Sequence, residues 1–108
     1  MTTITLKDSH GKSHIFNLYP KGTHFKPMAG VYAFLKEKRD SLFDVIYIGQ
    51  TSDFEDRIDD NFTNHTQYDC IIENRYTHIA TLVVPEQHKR LEIEKSLIDN
   101  FNTSCNEQ

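Results

Sequence analysis

The chain has 108 residues, enough for one domain around one hydrophobic core. Apolar residues make up 37% and charged residues 26%, a globular composition rather than that of a disordered chain. The net charge is −4, which speaks against strong non-specific affinity for phosphate backbones.

The charge is uneven. Residues 1–39 carry seven basic and two acidic side chains, and residues 40–108 carry five basic and fourteen acidic ones. Such a split lets one face meet DNA, and an ordinary solvated surface accounts for it equally well. The longest apolar runs are four or five residues, as at Val31-Tyr32-Ala33-Phe34-Leu35, against the roughly 18–20 needed to span a bilayer. No association with a membrane is expected. The start, Met1-Thr2-Thr3-Ile4, shows no basic stretch followed by an apolar core, so no signal peptide is read there. Cys70 and Cys105 are far apart and are expected to be separate core thiols, as suits a reducing cytoplasm.

In chain order, residues 3–7 and 13–18 alternate apolar and polar side chains around a glycine-containing turn, which predicts a β-hairpin. Pro20, Gly22 and Pro27 mark residues 19–29 as a connector. Strands are predicted over 30–35 and 45–49, joined by a polar loop of nine residues. Ser52 and Glu55 stand at capping-box spacing and open a helix over 53–62. Residues 67–75 predict a short helix, and the β-branched run 78–84 a strand. Pro85 introduces the last helix, 86–101. The order predicts an α/β (α+β) domain with a mainly antiparallel sheet flanked by helices. Residues 1–27 form its N-terminal hairpin and connector and residues 28–108 its main body.

Three features point to chemistry. On the last helix Leu91, Ile93, Leu97, Ile98 and Phe101 form one apolar face, and Glu94 falls near its middle while Glu92 faces away. A carboxylate at such a place needs a partner, either a salt bridge or a metal ion. On the first helix Phe54, Ile58 and Phe62 form an apolar row, and Arg57, Asn61 and His65 lie beside it if the helix runs that far. Asp56, Asp59 and Asp60 point elsewhere, which leaves Arg57 at the core edge, either paired within the helix or free for an anion. The third feature is a pair of strand segments, Gly30-Val31-Tyr32 and Tyr47-Ile48-Gly49, each joining a glycine to a tyrosine. Core filling by the rings is the plain reading of this pair.

Taken together, these segments resemble the two tripeptides that name the GIY-YIG nuclease family, with Tyr32 and Tyr47 fifteen residues apart. Arg57 stands eight residues after the second tripeptide, and Glu94 is followed after twelve residues by Asn106, as in the family pattern. The likeness covers about residues 28–107 and extends to the catalytic domains of excision-repair and homing endonucleases. It implies a DNA endonuclease that uses Mg2+ or Mn2+. Glu94 would bind the metal, Arg57 would bind the scissile phosphate, Tyr32 would activate water, Tyr47 would position phosphate or water, and Asn106 would fix the site. Gly30 and Gly49 are the motif glycines. The family often has a lysine where this chain has Gln50, and a histidine or tyrosine where it has Asn61; His65, one turn further, is an auxiliary candidate.

His10, His14, His24, His78 and His88 show no mutual metal-ligand spacing and are read as surface or strand residues. Tyr19 and Phe25 are read as packing residues that are also able to stack on a base. The expected partner is DNA, with targeting left to a protein partner, a homodimer or the hairpin. Two other readings stand beside the enzyme: a fold that binds nucleic acid or protein with little cleavage, and an interaction domain that pairs through the hairpin edge.

Overall fold

The computed structural model describes residues 2–59, 62 and 65–106. Five strands, β1 (Thr3–Lys7), β2 (Ser13–Pro20), β3 (Gly30–Arg39), β4 (Leu42–Thr51) and β5 (His78–Val83), form one sheet in the order β1-β2-β5-β3-β4. Every neighbouring pair is antiparallel. The helices are α1 (Phe54–Ile58), α2 (Tyr68–Glu73) and α3 (Gln87–Asn100). The α+β architecture with an antiparallel sheet is as expected. The N-terminal hairpin continues the sheet by pairing β2 with β5.

Strand alternation splits the core in two, because successive side chains point to opposite faces. One face carries Phe16, Leu18, Val31, Ala33, Leu35, Ile48 and Ala80, closed by Leu97 with Ile93, Ile98 and Phe101 of the α3 region. The other carries Tyr32, Phe34, Ile46 and Ile79, closed by Phe54 and Ile58 of α1, Phe62, Ile71 of α2, Tyr76 and Cys105. The first layer is mostly aliphatic, with Phe16, Phe43 and Phe101 among its members, and the second is largely aromatic with polar atoms inside it.

Several local expectations are corrected. The polar stretch read as a nine-residue loop is a continuation of β3 and β4, closed by a tight turn in which Ser41 takes φ 61°. This part of the ribbon lies mostly exposed, so its side chains are polar although its backbone is paired. Asp53, not Ser52, caps α1, its side chain accepting from the Asp56 N–H at 3.2 Å. The helix ends at Ile58 instead of running to residue 62. Asp59, expected to face away, turns out of the helix, accepts from the Phe25 N–H at 2.6 Å and pairs with His24 at 2.9 Å. Asp60 lies outside the described residues. On α3, Leu91 is exposed while Arg90 and Ser96 are buried, so the apolar face is narrower than the helical spacing suggested.

Cys70 and Cys105, expected to be separate thiols, form a disulfide across 35 residues. A paired cysteine couple gives no reason to expect a reducing compartment. His14 is a buried strand residue held by the equally buried Asp8 at 2.9 Å. Asp8 also accepts from the His10 and Lys12 N–H groups, and this hydrogen bonding, His14 first, holds its carboxyl down at about 2. Tyr19 and Phe25 pack edge to face at 5.4 Å. No helix among the described residues is long and apolar enough to cross a membrane.

Candidate active site

The site starts from two glycines. Tyr32 on β3 lies opposite Gly49 on β4, so the phenol crosses a position with no side chain. A Cβ at Gly49 would stand 2.6 Å from the Tyr32 hydroxyl and 2.8 Å from the Tyr47 ring. A Cβ at Gly30 would strike the Leu82 carbonyl and come within 2.5 Å of the Phe54 ring that begins α1. The motif glycines therefore set two close approaches, of a phenol to a strand and of a helix to a strand end.

Tyr32 is 1% exposed. Its hydroxyl lies 2.7 Å from His65 Nε2, and the Gln67 N–H donates to His65 Nδ1 at 3.0 Å. With Nδ1 accepting, the neutral ring carries its proton on Nε2 and donates to the Tyr32 oxygen. Burial, followed by the Arg57 charge, pushes His65 down to about 4, so the neutral form prevails at pH 7. His65 reaches the site although α1 stops early, because its N–H bonds the Phe62 carbonyl and the chain turns back before α2.

Tyr47 packs its ring 5.0 Å from His65 and 6.0 Å from Tyr32. Burial pushes the Tyr32 phenol above its usual range; the neighbouring Tyr47 adds to this, and Arg57 opposes it by hydrogen bonding and charge. Tyr47 is also raised, by burial and then by the nearby Glu94 carboxylate, with Arg57 again opposing. Glu94 is half-buried on α3, and desolvation raises its carboxyl while the Gln50 backbone N–H partly offsets this.

Neither Arg57 nor Glu94 enters a salt bridge among the described residues, so neither is spent on a structural ion pair there. Asn106 fixes the β4 edge beside Tyr47 and Gly49. The Ile48 N–H donates to its Oδ1, its Nδ2 donates to the Ile48 carbonyl, both at 2.8 Å, and Thr103 donates to the same Oδ1. The disulfide ties this C-terminal turn to α2.

Tyr47 on β4 is the common neighbour: its ring lies beside Tyr32 and His65, and it feels the charges of Arg57 from α1 and Glu94 from α3, while Asn106 holds the strand that carries it. Asn61 lies outside the described residues. Gln50 sits at the rim, where its Oε1 accepts from Arg90 Nε at 3.0 Å. Arg90 was not singled out from the sequence. It is buried, its Nη1 donates to the Val84 and Pro85 carbonyls, and it precedes Glu94 by one helical turn. That spacing was the available signal, since residues four apart on a helix share a face.

A profile of the GIY-YIG catalytic domain matches residues 28–107, beginning where the hairpin and connector end. No curated protein and no solved structure shows significant similarity to the chain. With this match over most of its length and an antiparallel α+β fold, the chain belongs to the GIY-YIG family of nucleases.

Proposed function

We propose that this protein is a metal-dependent endonuclease that hydrolyses phosphodiester bonds in DNA. The observation that carries the reading is a half-buried carboxylate, Glu94, near enough to Tyr47 to act on it by charge, with Arg57 acting on both Tyr47 and Tyr32, and neither charged group in a salt bridge among the described residues.

GIY-YIG nucleases use divalent metal ions. Among the described residues no group of three or more His, Cys, Asp or Glu side chains gathers to cage an ion. One carboxylate suits a hard dication such as Mg2+ or Mn2+ that keeps most of its waters. Glu94 fits that role, because its desolvated carboxylate gains from a positive partner. When bound, the dication supplies charge stabilisation for the phosphate and for the leaving 3′ oxygen.

The chain's own groups do the rest. Arg57 binds the scissile phosphate, its planar donor fork matching the charge that builds on the equatorial oxygens. Tyr32 takes the proton of the attacking water. To do so it must first lose its own proton to solvent, which burial opposes and the Arg57 guanidinium favours. The His65 Nε2–H donates to the same oxygen and so stabilises the phenolate. His65 is therefore a donor rather than the base, because its other nitrogen is already engaged by Gln67. Tyr47 orients phosphate or water, and Asn106 keeps its strand in place.

A second reading, a module that binds nucleic acid or protein without cutting, is favoured by Gln50 at the lysine position and by the depth of Tyr32. Plasmid nicking with Mg2+ or Mn2+, with and without chelator, separates the two. The nuclease reading expects nicking that a chelator stops and that Tyr32→Phe slows about a hundredfold or more, an effect of the size of a lost general base. Absence of nicking with either metal supports the second reading.

A further inference from the structure

Residues 1–27 lie outside the matched domain, yet the register carries the catalytic face straight onto them. Cross-strand partners share a face, and a single row runs Thr3, Asn17, Thr81, Tyr32, Gly49 across all five strands. Alternation puts Thr5, Lys7, Ser13 and Ile15 on the same side as Thr3. Helices α1 and α2 cover this face over β3 and β4, whereas Thr3, Thr5, Lys7, Ser13 and Ile15 are exposed, Ile15 by 63%.

Charge separates the two parts more sharply than position does. Residues 28–107 hold eight basic and fifteen acidic side chains, a net −7, which repels DNA. Residues 1–27 hold four lysines and one acid, a net +3. That acid, Asp8, is buried against His14 and two backbone N–H groups, so no carboxylate of the extension faces solvent. Lys7 stands on the open sheet face. Lys26 is exposed in the connector, next to Phe25, which packs into the aromatic core on the same side.

We propose that the N-terminal hairpin and connector grip the DNA backbone beside the cut, through Lys7 and Lys26 and the hydroxyl row of β1. This rests on the nuclease reading above and supplies what the matched domain lacks, a positive surface continuous with the site. Strands lie about 4.8 Å apart, so β1 is roughly 14 Å from Tyr32. Lys7 stands four residues along β1 from the Thr3 of that row, which adds roughly 13 Å along the strand, so at about 3.4 Å per base pair the phosphates it grips lie about six base pairs from the scissile one.

The test is a salt titration of binding to a labelled duplex, followed by anisotropy in chelator, with plasmid nicking measured in parallel on the same preparations. Each neutralised phosphate contributes about 0.9 to the slope of log K against log salt. Lys7→Gln with Lys26→Gln should lower the slope by about 1.8. Lys12→Gln, which removes an equal charge from the hairpin side that lines a groove with Glu92 and Ile93 of α3, should leave it unchanged. A wild-type slope in the double variant, or an equal loss per charge in Lys12→Gln, overturns the grip. If that occurs while nicking persists, the nuclease reading stands alone. If the slope drops as expected and no nicking is seen, only the nuclease reading fails. A chain that neither binds nor nicks overturns both.

Discussion

The two faces of the sheet are built from the same strands and do different work. Toward α3 the strands offer Phe16, Leu18, Val31, Ala33 and Leu35, a layer of apolar side chains that holds the fold together by area. Toward α1 and α2 the alternate residues are Tyr32, Phe34 and Ile79, and the layer admits His65, two phenol oxygens and an arginine. A buried polar cluster stabilises only when each member is satisfied, and no buried side-chain polar atom among the described residues lacks a partner. Both sides bury apolar area, but only the α1 and α2 side gathers polar groups, with Glu94 supplied from the α3 side.

The largest expected effect tests the α3 side of the sheet. Phe16→Ala should cost about 4 kcal/mol of unfolding free energy in a denaturant titration, while nicking per folded molecule stays at the wild-type level. A loss of specific activity there would break the division between the faces.

Next is the disulfide, which belongs to the reactive side because it ties α2 to the turn that carries Asn106. Closing a loop of 35 residues is worth about 3–4 kcal/mol by chain entropy. Reduction, or Cys70→Ser with Cys105→Ser, should lower stability by up to that amount and lower activity as well, since the hold of Asn106 on Ile48 loosens. Unchanged melting on reduction would show that the pairing contributes nothing in solution.

Gly49→Ala should cost about 1–3 kcal/mol as an overpacking change and should reduce nicking far more than Phe16→Ala does, because the new methyl meets the Tyr32 hydroxyl. Equal activity in the glycine and alanine proteins would mean that Tyr32 has no fixed place in the reaction.

The smallest effect is in pH. His65 has a folded pKa of about 4 against 6.5 for a free histidine, so the unfolded chain binds more protons between these values. Its contribution is fully present above pH 6.5 and is lost as pH falls toward 4. Urea titrations across that window should show declining stability, with a shallower decline in His65→Gln. An identical slope in both proteins would place His65 in water rather than against Tyr32.

Much of this division was legible in the sequence, and the failures have physical causes. Period-two alternation marks the strands, and helical spacing alone singles out Glu94. The extended ends of β3 and β4 were hidden because a ribbon that lies largely in solvent has polar side chains on both sides. The end of α1 was hidden because Asp59 bonds to Phe25, 34 residues away, and no local propensity records that. Arg90 was overlooked because its burial depends on two carbonyls and Gln50, all brought by other segments. The cysteine pair is set by topology alone. Tyr32, Tyr47 and Arg57 were legible as a set only through the family pattern, since each taken singly is an ordinary core or surface residue.

The central claim is that the carboxylate of Glu94 serves a cation and not the fold. The direct measurement is nicking by Glu94→Ala in Mg2+ and in Mn2+, beside its thermal melt. The account predicts no detectable metal-dependent cleavage and a melting temperature at or above that of the wild type, because desolvation of the carboxylate is relieved. Cleavage at the wild-type rate, or a protein that unfolds without the carboxylate, would contradict it.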